Sequence, residues 1–158
     1  MGLDMYLYAS KFSPQVDYVK SSPGNVVLHP EFGSLMTLTK MENVASKMYG
    51  AYVEVVCAYW RKANSIHGWF VDNIQSGEDK CGRYFVQKSE LETLRNLCQQ
   101  TFDEKNPQGL LPRSGFYFGG DDVDQYYWGD IKNTIEQLNR ILALPDIDDL
   151  SFYYQSSW

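Results

Sequence analysis

The sequence has few of the residues on which common catalytic and metal-binding sites are built. Its three cysteines, Cys57, Cys81 and Cys98, are an odd number without Cys-x-x-Cys spacing, which argues against a disulfide framework and a zinc site. Only two histidines occur, His29 and His67, and neither lies next to a serine or cysteine nucleophile in the sequence. We therefore expect no metal ion and no cofactor. A catalytic triad is not excluded, because its residues come together in the fold and need not be neighbours in the sequence.

Long apolar segments and an excess of positive charge are also missing. No stretch approaches the roughly 18 apolar residues of a membrane span, and the N-terminus lacks the pattern of a signal peptide. The chain has 14 Lys and Arg against 20 Asp and Glu, which gives a formal net charge of −6. We therefore expect a soluble cytoplasmic protein that neither associates with a membrane nor binds nucleic acid directly. An acidic surface fits simple solubility or a basic partner.

Aromatic residues, by contrast, are abundant. They make up 15% of the 158 residues, with 12 Tyr, 8 Phe and 4 Trp. Aromatic side chains bury large areas, so a dense core can form in a chain of this length. Tyr and Trp are also common at binding surfaces, because each combines an apolar ring with a polar tip. Composition alone leaves both roles open.

The apolar patterning predicts an α+β domain. Strands are indicated by alternation or by β-branched and aromatic runs over residues 2–9, 25–29, 52–59, 83–87 and 114–120, and from residue 151 onward. Helices are indicated by apolar spacing over residues 63–74, 89–105 and 124–144. Residues 34–50 are ambiguous, because residues 35–39 alternate as in a strand while residues 41–49 fit two turns of helix. We expect a single domain over residues 1–158, with an antiparallel or mixed sheet and about three main helices packed mostly on one face. Residues 10–50 are a variable, partly loop region.

Two helix starts carry polar signals. Ser89, followed by acidic residues, is predicted to cap the second helix. The last helix is predicted to begin near Asp122 or Asp124, after the segment 119–124, which holds three carboxylates beside a glycine turn. Such a cluster can hold a hard cation, but the spacing is not that of an EF-hand loop. Capping of the helix is the ordinary role of acidic residues at this place.

Several segments resemble an uncharacterised family of small phage and prophage proteins. The similarity is carried by residues 1–8 (MGLDMYLY), 59–71 (YWRKANSIHGWFV) and 152–158 (FYYQSSW), with shorter matches at 110–112, 114–119 and 126–128. Members sometimes carry a kinase-like label, but this chain has neither a Walker phosphate loop nor a glycine-rich kinase loop. The resemblance implies a phage accessory protein that acts on the host, and it transfers no catalytic residues.

The junction from Trp60 to His67 is the first candidate site. If a strand ends at residue 59, Arg61, Lys62 and Asn64 lie in the first helical turn, where backbone amides are unpaired. Two cations beside free amides suit an anionic, nucleotide-like ligand, and Trp60 can stack on a base. The alternative is that Arg61 and Lys62 are solvated while Trp60 and His67 are core residues.

The C-terminal segment is the second candidate. In a strand, Phe152, Tyr154, Ser156 and Trp158 share one face, and Tyr153, Gln155 and Ser157 share the other. Neither face is plainly apolar, so one face is expected to pack on helices while the other presents phenol, amide and hydroxyl groups to a partner. The alternative is a twisted edge strand with amphipathic aromatic residues.

These features lead to three functional hypotheses. In the first, a non-enzymatic phage counter-defence protein sequesters a small anionic host molecule. Arg61 and Lys62 hold its phosphate, Trp60 or Trp158 stacks on its base, and Asn64 and Gln155 bind the base edge, with His67 and Tyr154 completing the site. In the second, the acidic surface inhibits a host defence enzyme, acting as a nucleic-acid mimic. In the third, a hydrolase uses His67. Assembly into a homo-oligomer stays open under each hypothesis.

Overall fold

The computed structural model describes residues 2–113, 115 and 120–158. The strand predicted over residues 114–120 therefore lies largely outside the described residues. Within the described ranges the chain folds as α+β, which confirms the predicted class.

Four strands occur in the part of the chain that the structure describes: β1 Asp4–Pro14, β2 Gly50–Arg61, β3 Arg83–Val86 and β4 Ser151–Ser157. They form one antiparallel sheet in the order β2-β1-β4-β3. In the pairing of β3 with β4, Arg83 lies opposite Gln155 and Val86 lies opposite Phe152. The C-terminal segment is thus a strand in the interior of the sheet rather than a frayed end.

The helices are α1 Pro30–Thr39, α2 Asn64–Asn73, α3 Lys88–Glu104 and α4 Gln125–Leu142. The last three correspond to the predicted helices, whereas α1 is additional. The strand expected over residues 25–29 is wrong, because Leu28 forms only an isolated bridge with Val16. Pro30 begins α1, where its fixed φ is favourable and its missing N–H costs nothing. None of the helices in the described ranges has both the length and the apolar character needed to cross a membrane.

The chain divides into two compact units. One consists of the residues up to Ala9 together with Val55–Trp158, and the other of Ser10–Glu54. The second unit coincides closely with the region 10–50 that the sequence set apart, and it has its own small apolar cluster of Phe32, Met36 and Ala45. The single-domain assignment stays a prediction.

The core of the first unit follows from the alternation of its strands. Leu3, Met5 and Leu7 of β1 are buried, as are Phe152 and Tyr154 of β4. Each such side chain contributes roughly 1.5–3 kcal/mol when it leaves water. The stripe predicted for α4 is buried at Tyr127, Ile131, Ile135 and Leu138, and Ile141 completes it in place of Leu142.

The start of α3 differs from the prediction by two residues. The N-cap is Gln87 rather than Ser89, and the Glu90 carboxylate accepts a hydrogen bond from the Gln87 backbone N–H at 2.6 Å. A capping box pairs the cap with the third helical residue, so Glu90 selects Gln87 as its partner. Ser89 lies within the first turn instead.

Candidate functional site

A cavity of about 470 Å³ lies in the first unit, where the end of β2 and the start of α2 meet the start of α4. Small-molecule sites in proteins commonly have volumes of about 300–1,000 Å³. The cavity is lined by residues of two kinds, cations and polar groups from the β2–α2 junction and carboxylates from the region of α4.

The junction is a sharp change of chain direction. Lys62 adopts a left-handed conformation with φ 58°, and its backbone N–H donates to the carbonyl of Leu3 at 2.8 Å. The Lys62 and Arg61 side chains line the cavity and are exposed. The N-cap of α2 is Ala63, which offers no side-chain hydrogen bond, so the first-turn amides have no capping side chain.

Asn64 and Ser65 form the floor of the cavity on this side. They are 5% and 4% exposed, and both line the cavity. The Asn64 amide donates to the carbonyl of Gly120, which fixes it in place. The Ser65 hydroxyl forms no hydrogen bond to another described residue. This hydroxyl faces the cavity and can donate or accept a hydrogen bond with a ligand there.

The carboxylates of the cavity come from Asp122, Asp124 and Asp130. Asp124 caps α4, and its Oδ1 accepts from the backbone N–H groups of Tyr126 at 2.9 Å and Tyr127 at 3.1 Å. The capping role predicted for this acidic segment is therefore confirmed at Asp124. Partial burial, together with the charge of Asp124, raises the pKa of Asp130 from 3.8 to about 6.

The acidic segment is not arranged as a metal site. Across residues 2–113, 115 and 120–158, no group of three or more His, Cys, Asp or Glu side chains can hold a metal ion. Among the cavity's aromatic residues, Tyr126 is 72% exposed, so its ring is open to stacking.

Two residues of the predicted junction site lie in the core instead. Trp60 is 2% exposed, and its indole N–H donates to the Thr134 hydroxyl at 2.9 Å. His67 is fully buried, with Nδ1 2.7 Å from the Tyr154 hydroxyl and Nε2 2.8 Å from Asp79 Oδ2. Neither side chain lines the cavity.

His67 is held in its neutral form. Burial lowers its pKa, although hydrogen bonding to Asp79 acts in the opposite direction. Since a carboxylate only accepts, Nε2 carries the proton and donates to Asp79, while Nδ1 accepts from the hydroxyl of Tyr154. Both ring nitrogens are thereby satisfied.

The C-terminal strand meets His67 but does not reach the cavity. Tyr154 is fully buried and stacks on Phe70 at a centroid distance of 3.8 Å. The indole of Trp158, 41% exposed, donates to Asp79 Oδ2 at 2.8 Å. The structure therefore does not bring the predicted site residues together in one place. Arg61, Lys62 and Asn64 meet at the cavity, whereas His67, Tyr154 and Trp158 meet around Asp79, and Gln155 pairs with β3.

No protein-family model, curated protein or solved structure matches this chain. The resemblance to phage proteins stays a prediction.

Three residues of the cavity were missed by sequence reasoning, namely Ser65, Tyr126 and Asp130. A signal was present for the last two, because positions four apart on a helix lie on the same face. Once Asp124 is taken as the cap, Tyr126 and Asp130 follow on one side of α4. Ser65 gave no signal, since its role depends on burial.

Proposed function

We propose that this chain is a binding protein that captures a small anionic molecule of the nucleotide type in the cavity between β2, α2 and α4. The observation that carries the proposal is the pair Arg61 and Lys62 at the rim of a cavity of about 470 Å³, next to an uncapped helix start. Cations and free backbone amides together form the usual environment of a bound phosphate.

Each part of such a ligand has a counterpart in the cavity. The Arg61 guanidinium can form paired hydrogen bonds to a phosphate, and Lys62 adds a point charge. Ser65 supplies a buried hydroxyl, and the exposed ring of Tyr126 can stack on a base, the role the sequence suggested for Trp60 or Trp158.

The mechanism is stoichiometric capture without chemistry. His67 is poorly placed to act as the base of a hydrolase, because it has no exposed surface and both of its ring nitrogens are hydrogen-bonded. Combined with the resemblance to phage proteins, capture describes a counter-defence protein that removes a nucleotide-like host signal.

The proposal is tested by calorimetric titration and thermal unfolding with ribonucleoside monophosphates and cyclic nucleotides. At least one of them should bind and raise Tm, and Arg61→Ala should weaken that binding about 10- to 100-fold, the value of a lost charged hydrogen bond. The matched control is Lys132→Ala, which removes an exposed cation of α4 outside the cavity.

Capture would be overturned if Arg61→Ala bound the nucleotide as tightly as the wild type, or if no nucleotide bound at all. Chromatography of the bound ligand after long incubation should return it intact. A converted ligand would mean that the chain is an enzyme.

A second observation favours the alternative of a protein inhibitor. On the sheet face opposite the core, two groups of neighbouring rings, Tyr59 with Tyr6 and Tyr8, and Tyr153 with Phe85, are together called the aromatic belt here. The Arg83 guanidinium lies 5.1 Å from the ring of Tyr8 and 4.3 Å from that of Tyr153. Tyr and Arg are the residues enriched at the energetic centres of protein interfaces.

The belt is tested separately from the cavity with Phe85→Ser, since Phe85 is 56% exposed. If the belt binds a basic host protein, the wild-type chain should retain that protein stoichiometrically at low salt, and Phe85→Ser should lose it while still binding nucleotide. The control is Leu38→Ser, which removes a 79% exposed side chain of α1. Equal retention by the two variants would contradict an interface at the belt.

A further inference from the structure

We infer that the cavity selects a nucleoside monophosphate over a nucleoside triphosphate or a free phosphate, with Asp122 and Asp130 as the specificity-determining residues. The inference rests on the proposed function and narrows its ligand class. It follows from the charges of the cavity and from the hydrogen-bonding capacity of its carboxylates.

The cations of the cavity are enough to pair with one phosphate group and no more. Its lining holds two cations, Arg61 and Lys62, and three carboxylates, Asp122, Asp124 and Asp130. A phosphate monoester carries about two negative charges near neutral pH, which the two cations can balance. The further phosphates of a triphosphate would bring additional negative charge into a cavity that already holds an excess of carboxylates. Like charges at short range inside a protein repel strongly, so these phosphates count against binding.

The carboxylates also define what the rest of the ligand must offer. An ionised carboxylate accepts hydrogen bonds and cannot donate them. Asp124 uses Oδ1 to cap α4, whereas the side chains of Asp122 and Asp130 form no hydrogen bond to another described residue, so these two carboxylates are the main acceptors for a ligand. A nucleoside supplies matching donors through its ribose hydroxyls and base amino groups. A bare phosphate supplies none of these groups.

Ser65 connects the two kinds of lining residue. It is 4% exposed, it lines the cavity, and its hydroxyl forms no bond to another described residue. A hydroxyl both donates and accepts, so Ser65 can bind a phosphate oxygen or a ribose hydroxyl. The cavity therefore offers a neutral hydroxyl in addition to its charged side chains.

The test compares, by calorimetric titration at one ionic strength and with EDTA, the four ribonucleoside 5′-monophosphates, the corresponding triphosphates and inorganic phosphate. The best monophosphate should bind at least about 10-fold more tightly than its triphosphate and than inorganic phosphate. Asp130→Asn and, separately, Asp122→Asn should each reduce the preference over the triphosphate by about 5-fold or more. Asp122 is exposed, so Asp122→Asn should fold normally and keeps the inference testable if Asp130→Asn misfolds.

The matched control is Glu136→Gln, which removes an exposed carboxylate from the same helix outside the cavity and should leave the preference unchanged. A triphosphate or inorganic phosphate that binds as tightly as the monophosphate would overturn this inference and leave the proposed capture of anions standing. An unchanged preference in both aspartate variants would also overturn it. Failure of every probe to bind would instead remove the proposed function itself.

Discussion

The carboxyl group of Asp130 is partly buried in the cavity, and the neighbouring Asp124 carries a negative charge. Both conditions disfavour the ionised form, so the pKa of Asp130 rises to about 6. His67 represents the opposite case, because burial lowers the pKa of a cationic group. For His67, stability is lost as the pH falls through about 6.5, since the unfolded chain takes up the proton more readily. The two groups act in opposite directions, so a variant has to separate them.

Asp130→Asn should stabilise the protein at pH 8 and have little effect near pH 3.5. Well below pH 3.8 this carboxyl group is protonated in both the folded and the unfolded chain. As the pH rises from 3.8 to about 6, the carboxyl group ionises first in the unfolded chain, and this lowers the free energy of unfolding of the wild type. The asparagine variant escapes this loss, which we expect to be between about 1 and 3 kcal/mol. Urea unfolding at both pH values measures the difference, with Glu136→Gln as the exposed control. An effect of the same size at both pH values would mean that ionisation is not its cause.

At the scale of elements, long periodic segments could be predicted from the sequence and short ones could not. The apolar spacing of α4 and the alternation of β1 and β4 indicate their structure directly, because each buries one regular face. Helix α1 was missed because only Phe32 and Met36 are buried in it and Pro30 was interpreted as the end of a strand. For the site, Arg61 and Lys62 could be predicted because a strand-to-helix junction is local in sequence. For Asp130 the helical spacing indicates only which face of α4 it shares with Tyr126, because its place beside the two cations depends on long-range packing.

The strand β2 and the helix α1 offer two glycines for which the same substitution should have opposite effects. A Cβ at Gly50 would lie 2.6 Å from the carbonyl oxygen of Ser13 and against the ring of Phe12, so Gly50→Ala should destabilise by about 1–3 kcal/mol. At Gly33 no atom lies within 4 Å of the added Cβ, so Gly33→Ala should stabilise by up to about 1 kcal/mol through helix propensity. Thermal and urea unfolding of both variants measure the signs. A loss of stability in Gly33→Ala, or none in Gly50→Ala, would contradict this packing.

At the scale of the whole first unit, Asp79 joins parts of the chain that are distant in sequence. It lies in the connection between α2 and β3, and its carboxylate accepts from His67 of α2 and from the indole of Trp158 after β4. Ser156 makes a longer contact with the same carboxylate, at 3.4 Å. Because it contacts both His67 and the end of the chain from Ser156 to Trp158, this carboxylate links β4 to α2. Strand β4 lies between β1 and β3 in the sheet. Trp158 thus has a structural contact within the first unit.

Asp79→Ala should destabilise the first unit by about 2–4 kcal/mol, because it leaves the buried N–H of His67 without its acceptor. Trp158→Phe should cost under about 1 kcal/mol, since the indole is 41% exposed and water can replace its partner. The control is Asp72→Ala, which breaks an exposed ion pair with Arg113 and should change stability by no more than about 1 kcal/mol. Urea unfolding followed by circular dichroism measures all three.

If Asp79→Ala lowers the free energy of unfolding no more than Asp72→Ala does, the Asp79 carboxylate does not stabilise the position of β4. If Asp79→Asn restores most of the loss, the carboxylate acts as a hydrogen-bond acceptor more than as a charge, as expected beside a neutral histidine.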